Sequence, residues 1–405
     1  MTTSTNLDAI ILGGGPAGSA AAIELASAGR RVALLERSVT AHDKVCGDFL
    51  STEALASLSA LGLNLSALPS GASAEPIHRV RLAGSLGLSA ADLPFAAQSL
   101  TRRALDEALL QQASAAHALV LRGHTAESLH RTGNLWRVSI AAPSNGSNLP
   151  GASHTYTLTA PHILLATGKH DLRGLPRPMF GTHADLIGLK MYLRLTPAQI
   201  DALRDNIELF LLPGGYGGLS LVEGNAANLC FVIQRNLLRD AGRGWDALSA
   251  FLARTPHLRT RLDGAEPLLA RPLAISPIPY GFLLRHAIAE NLWAIGDQAA
   301  VIPSFTGDGL ALALHSGRFA AHTLLARRTA HQFHAQLHTQ LRRQLTLSTF
   351  LSRALVRQPQ RTALELAARL FPSTLRAVAA HTRLAPSHQL PPRIAPLRKN
   401  TCAPA

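Results

Sequence analysis

Residues 10–36 read IILGGGPAGSAAAIELASAGRRVALLE, and no other stretch constrains the chain as much. An apolar run from Ala9 to Leu12 leads into Gly13-x-Gly15-x-x-Gly18. A helix of small residues follows, then a second apolar run from Val32 to Leu35 that ends on Glu36. Gly13 permits a tight turn, Gly15 lets backbone come close to a pyrophosphate, and Gly18 lets helix and strand pack together. The helix start offers free N–H groups and the positive end of its dipole to phosphates. Glu36 lies about 20 residues beyond the glycines, where a carboxylate can accept from ribose hydroxyls. Three glycines alone are a weak signal. Strand, glycines, helix, strand and acid in register predict a dinucleotide-binding βαβ unit.

A chain of 405 residues can build two or three cores, and 47% hydrophobic against 16% charged residues describes a compact globular protein. The longest uncharged apolar runs fall short of the ~18 residues a membrane span needs. The first residues carry neither a basic nor an apolar export segment, so a cytoplasmic location is expected. Cys46, Cys230 and Cys402 are odd in number and far apart, which argues against a disulfide framework. Cys230 sits in an alternating run and reads as core; Cys402 lies in a loose tail. The 18 histidines form no pattern with acids or cysteines that would hold a metal. His331, His334 and His338 read as a solvated helix stripe. Nor is there a nucleophile elbow.

The net charge of +14 is unevenly placed. Residues 321–405 hold 13 Arg and Lys against one acid, Glu365. This local basic surface suggests a cap of water-facing arginines or a peripheral contact with anionic headgroups at the inner membrane face. No recognition module accompanies the charge, so nucleic acid is not expected as a partner.

Along the chain, a helix is expected to end near Leu61, and another to run from Leu100 to Ala118 with Thr101 as N-cap. Short strands are expected at Leu119–Leu121, Leu135–Ala141, Thr155–Leu158 and Ile163–Ala166, with residues 143–153 as a hairpin tip. A second sheet is predicted from Leu186–Leu195, Ile207–Leu212, Leu219–Val222, Leu229–Gln234 and Leu268–Ser276, interrupted by helices at Pro197–Asp205 and Trp245–Arg254. Leu292–Ile295 then enters Gly296-Asp297, and Thr306-Gly307-Asp308-Gly309 opens a long helix. Farther on, Phe333, Leu337, Leu341 and Leu345 recur on one helix face.

Four separated segments share an order and spacing: Gly13–Gly18 with Glu36, Arg102/Arg103 at a helix start, Ala166-Thr167-Gly168, and Gly296-Asp297 with Pro303 to Gly309. Together they resemble FAD-dependent oxidoreductases of the para-hydroxybenzoate hydroxylase fold. Lys44-Val45-Cys46-Gly47 and the Pro303–Gly309 segment are most similar to the geranylgeranyl reductase-like branch. The resemblance spans roughly residues 7–325. It implies an α/β fold: a discontinuous Rossmann-like FAD-binding domain (1–75, 98–175 and 285–330), an antiparallel substrate domain (76–97 and 176–284) and a C-terminal helical region (331–405).

The resemblance further implies that FAD is held by Gly13, Gly15, Pro16, Ala17, Gly18, Glu36, Arg37, Cys46, Gly47, Arg103, Gly296, Asp297, Thr306, Gly307, Gly309 and Leu310. Asp297 would accept from ribityl hydroxyls. The Gly307/Gly309 helix start would face the flavin edge that gains negative charge on reduction. Cys46 and Tyr216 are the catalytic candidates. Tyr216 sits among four glycines, an arrangement that suits either a flavin-facing wall or a plain hairpin turn. Two departures, Lys169-His170 after Gly168 and Gln298 after Asp297, weaken an aromatic hydroxylase reading; Lys169 and His170 read as surface loop. The activity implied is hydride transfer through flavin that reduces or dehydrogenates a C–C bond of an apolar, isoprenoid- or polyketide-like substrate. NAD(P)H or ferredoxin would serve as transient donor. The alternatives are a monooxygenase using a flavin hydroperoxide and a non-catalytic nucleotide-binding protein.

Overall fold

The computed structural model describes residues 6–68, 70–143, 153–177, 182, 184–242, 244–385, 388 and 390. The apolar strand pattern pairs as five parallel strands, ordered Leu292–Ala294, His162–Leu165, Ala9–Leu12, Val32–Glu36 and Leu119–Arg122. Because side chains alternate across a strand, the central strand serves two cores. Ala9 and Ile11 pack with the helices Pro16–Ser27 and Arg102–Ala115 on one face. Ile10 and Leu12 meet Trp136, Val138, Ile140 and Leu158 on the other. Those residues come from a three-stranded meander, Thr125–Thr132, Leu135–Pro143 and Ser153–Ala160. Its first strand was not expected from the sequence, since Thr125–Thr132 is polar and largely exposed. Most of the expected hairpin tip at 143–153 lies outside the described residues, as does Cys402.

A nine-stranded sheet faces this unit. In order it runs Glu266–Pro267, Leu186–Arg194, Ala226–Gln234, Gly215–Val222, Asp205–Leu212, Glu75–Gly84, Gly87–Ser99 and Phe49–Leu50, with Leu273–Ile275 also on Leu186–Arg194. It is antiparallel except where Asp205–Leu212 runs parallel to Glu75–Gly84. Phe49–Leu50, inside the segment expected to belong wholly to the nucleotide-binding unit, extends this second sheet by pairing with Gln98–Ser99. The helix Ala330–Val356 buries Phe333, Leu337, Leu341 and Leu345 and starts on a capping box between Thr329 and Gln332. His334 departs from the expected solvated stripe. It is fully buried, its Nε2 accepts from Ala294 N at 3.3 Å, and burial pushes its pKa down to about 4.

One buried acid ties the second sheet to its helices. Glu208 is fully buried and bonded by Arg81, His257 and Arg261, the last through two nitrogens. Burial alone would raise this carboxyl; the hydrogen bonds from His257 and Arg261 outweigh it and hold the pKa down at about 2. A depressed carboxylate contributes stability that is present above the unfolded pKa and lost as pH falls toward the folded one. Between pH 4.5 and 2 this group's share of the acid slope is about 3 kcal/mol. Urea unfolding across that window is expected to show that share missing in Glu208→Gln. An identical slope in the variant would refute the assignment.

Candidate active site

Local sequence shapes the glycine turn tightly. Gly13 has φ +114°, and a Cβ there would lie 2.3 Å from the Ala166 carbonyl oxygen. A Cβ on Gly18 would lie 1.9 Å from Gly13 O, so this glycine is required where helix meets strand. Pro16 starts the helix at a position whose missing N–H costs nothing. Ser19 N is the first amide to bond back into the helix, to Gly15 O at 2.9 Å, which leaves the Ala17 amide, on the cavity wall, for a ligand. Glu36 is anchored by backbone at both oxygens: Gly14 N donates at 3.0 Å and Ser38 N at 2.9 Å.

A single cavity of about 700 Å³ starts at this turn and continues between the two large sheets. Gly13, Gly15, Pro16, Ala17, Glu36 and Arg37 line one end; Cys46, Gly47, Gly296 and Asp297 line the middle. Thr306, Gly307, Gly309, Leu310 and Tyr216 line the part nearer the second sheet. Gly18 is buried at the helix–strand contact and contributes no wall. A Cβ on Gly296 would come within 2.9 Å of Ala17 Cβ, so Asp297 and the glycine turn face one space although 280 residues separate them in sequence. Gly307 takes φ +68°, with the Phe49 ring 2.6 Å from where a Cβ would be, whereas a Cβ on Gly309 would meet nothing. The helix Gly309–Leu325 therefore opens its N-terminus onto the cavity.

Of the two arginines at the helix start, the structure brings Arg102 to the cavity and leaves the expected Arg103 away from it. Arg103 is exposed and outside the cavity, while Arg102 lines it and grips Asp106 through Nε and Nη2, both at 2.8 Å. Lys44 Nζ reaches the same carboxylate at 2.8 Å. Burial would raise Asp106, but the Arg102 and Lys44 charges hold it below the usual carboxylate range. Lys169 and His170, read from sequence as surface loop, also stand in the cavity wall. Two side chains stitch their loop to the Gly296–Gln298 turn. Arg177 donates to Asp171, Lys169 O and Asp297 O; Gln298 donates to Gly168 O at 2.8 Å and His170 O at 3.1 Å.

Tyr216 lines the cavity but its hydroxyl lies 3.0 Å from Ser352 Oγ on the long C-terminal helix, and burial raises its pKa well above the usual value. Its glycines serve the hairpin first. Gly214 turns at φ +66°, Gly215 abuts Val232 O, and the space a Gly217 side chain would need is filled by Phe210 and Phe231. Cys46 lies in a loop pinned by Asn228 Nδ2 to its carbonyl at 3.1 Å and by Asp48 N to its sulfur at 3.4 Å. Cys230, expected in the core, faces the cavity as well, and burial pushes its thiol up to about 12.

Beneath Cys46 is a cluster that sequence reasoning missed. Asp48, Lys190 and Tyr192 are buried together, with Lys190 Nζ 2.5 Å and the Tyr192 hydroxyl 2.7 Å from Asp48 Oδ2. Desolvation pushes the Asp48 carboxyl up, opposed by the Lys190 charge. Arg383, assigned from sequence to a basic surface, instead turns inward. It donates to Asp308 Oδ1 at 3.0 Å and Thr306 O at 2.8 Å, bracing the turn around Gly307.

A stretched nucleotide with a pyrophosphate fits this space. The site has an unused amide at a helix start, an anchored acid, a second carboxylate farther along, and glycines where a Cβ would intrude. Residues 6–174 match the family model described as FAD binding domain. The menaquinone reductase of Mycobacterium tuberculosis is 27% identical over 346 residues, 82% of this chain and 79% of that protein. The digeranylgeranylglycerophospholipid reductase of Methanoculleus marisnigri is 26% identical over 331 residues, 78% and 76% of the two chains. A geranylgeranyl bacteriochlorophyll reductase-like structure from Thermoplasma acidophilum superposes with TM-score 0.69 at 17% identity, covering 93% of this chain and 99% of that one. A flavin-dependent brominase superposes with TM-score 0.72 at 15% identity, covering 96% of each chain. The chain is an FAD-dependent oxidoreductase of the para-hydroxybenzoate hydroxylase fold. Over most of its length it is similar to the digeranylgeranylglycerophospholipid reductase of M. marisnigri, and its fold is that of the geranylgeranyl bacteriochlorophyll reductase-like structure.

Proposed function

We propose that the protein reduces or dehydrogenates a carbon–carbon bond of an apolar, lipid-like substrate such as a prenyl chain. The observation that carries this reading is the far end of the cavity. There, Val80, Leu93, Ile207 and Leu209 of the sheet oppose Leu375, Val378 and Ala379 of the helix Ser373–His381. An apolar chain gains about 25 cal/mol for each Å² it buries against such walls. The reductase names of the relatives from M. tuberculosis and M. marisnigri point the same way.

FAD, when bound, supplies the two-electron transfer. The residues supply everything around it. The Ala17 amide and Arg102 would hold the phosphates; Glu36 and Asp297 would accept from sugar and ribityl hydroxyls. The start of the Gly309–Leu325 helix would stabilise negative charge on a flavin ring placed against it. The apolar walls exclude water. Cys46, on the cavity wall in the loop beside Asp48, would deliver a proton to the substrate carbon; that the Tyr216 hydroxyl is turned to Ser352 supports this choice.

The test is a single turnover with the reduced holoenzyme, anaerobically and then in air, on a menaquinone and on an unsaturated prenyl lipid. The expected product gains two hydrogens without oxygen. A product that incorporates an oxygen atom only in air would establish the monooxygenase reading in its place. Reduction attempted separately with NADH, NADPH and a ferredoxin system identifies the donor.

A further inference from the structure

We propose that the outer face of the two helices Ala330–Val356 and Gln360–Leu370 docks on an anionic lipid surface, apolar side chains inserted and arginines among the headgroups. Eleven large hydrophobic residues are exposed among the described residues, and five fall between 347 and 371: Leu347, Phe350, Leu366, Leu370 and Phe371. Phe350 is 67% exposed, Phe371 63% and Leu370 61%. Monomeric proteins scatter such residues singly, so this concentration marks a contact surface. Helix geometry groups them further. Leu347 and Phe350 are three apart, Leu366 and Leu370 four apart, and Phe371 follows directly. The two helices pack against each other.

Charge selects the partner. Arg342, Arg343, Arg357 and Arg376 are exposed around these residues. The one acid of residues 321–405, Glu365, is turned inward, 3% exposed and bonded to Ser85 Oγ and Leu86 N. The outer face of this region thus offers cations and large apolar groups and no carboxylate of its own. A folded partner protein would need an acidic, greasy complement. A bilayer containing anionic lipid supplies both at once, with apolar burial and headgroup attraction adding together. The helix Ser373–His381 follows immediately and lines the cavity with Leu375, Val378 and Ala379. Docking here would set the cavity wall next to the phase in which a lipid-like substrate dissolves. Only that purpose rests on the proposed function; the binding does not.

The experiment is co-sedimentation of the FAD-loaded full chain with vesicles of phosphatidylglycerol and phosphatidylcholine, and with phosphatidylcholine alone. Binding is expected to the anionic vesicles and to weaken in high salt. The triple variant Leu366→Ser/Leu370→Ser/Phe371→Ser and the double variant Arg342→Glu/Arg343→Glu should each bind at least about tenfold less, with flavin absorbance unchanged. Absence of binding to anionic vesicles, or equal binding by the triple variant, overturns the proposal. So does a wild-type dimer that the triple variant converts to monomer, which would show the face covered by a second copy. Turnover of a short, water-soluble substrate should be the same in all variants, so a failed activity reading and failed docking remain distinguishable.

Discussion

Gly15→Ala is expected to leave the fold intact while weakening FAD binding about a hundredfold, near 2.7 kcal/mol. The backbone at Gly15 has φ −75° and ψ −176°, which alanine adopts without strain. Among the described residues, the only heavy atom within 4 Å of the added Cβ, its chain neighbours aside, is Arg102 Nη2 at 3.6 Å, an ordinary contact. The protein therefore has room for the methyl group; a pyrophosphate seated on the Ala17 amide would not. Pushing it away lengthens charge-assisted hydrogen bonds worth about 1.5–3 kcal/mol each. Alanine at a helix N-cap costs the apo protein no more than about 1 kcal/mol. Gly13→Ala is the contrasting variant. Its Cβ would strike Ala166 O at a φ of +114°, so unfolding and loss of flavin should come together. Thermal melts of the apo proteins with flavin titration separate the two. Equal FAD affinity in Gly15→Ala and wild type would show that phosphates do not approach this turn.

Wherever one local segment carries its own reason, the sequence made it legible. The first βαβ unit, the Thr101 cap, the Gly296-Asp297 turn and the Phe333–Leu345 stripe each follow from residues within a few turns of one another. The misses came from contacts across the chain. Arg102 and Arg103 are adjacent and differ by about 100° around the helix, so sequence order could not choose between them. Each has an acid four residues on, Asp106 for Arg102 and Glu107 for Arg103, so local spacing does not choose either; in the fold Arg102 pairs with Asp106, while Glu107 pairs with Arg122. Lys190 and Tyr192 share a face of the Leu186–Arg194 strand, and a lysine in so apolar a run hinted at a buried acid. Asp48 lies 142 residues away, and nothing local names it. The basic tail was read by charge alone. Arg361 bonds Leu212 O, Arg369 bonds Leu86 O and Arg383 bonds Thr306 O, so these cations satisfy backbone carbonyls that only the folded chain brings near.

Lys190→Met is expected to cost about 3–5 kcal/mol of stability at neutral pH, because it strands the Asp48 carboxylate without its cation. Asp48 and Lys190 are both fully shielded from water, and Nζ sits 2.5 Å from Oδ2. The Tyr192 hydroxyl and the Arg102 amide still donate to Asp48 in the variant, at 2.7 and 3.3 Å, but neither cancels a charge. The sign of the pH dependence follows. Burial already pushes the Asp48 carboxyl above the usual range of an aspartate, and removing Lys190 pushes it farther in the same direction. The folded variant then holds a proton at pH values where the unfolded chain has released it, so its stability falls as pH rises through that window. Urea unfolding should accordingly show a smaller deficit at pH 5 than at pH 8. Asp48→Asn/Lys190→Met should recover most of the loss, because both charges go together and asparagine tolerates the φ of +55° at this position. The Asp48 amide donates to Cys46 Sγ, so the single variant should also loosen the Cys46 loop and lower turnover by more than its stability loss explains. A deficit independent of pH, or a double variant no better than the single, would mean that the pair does not stand as an ion pair beneath the active-site loop.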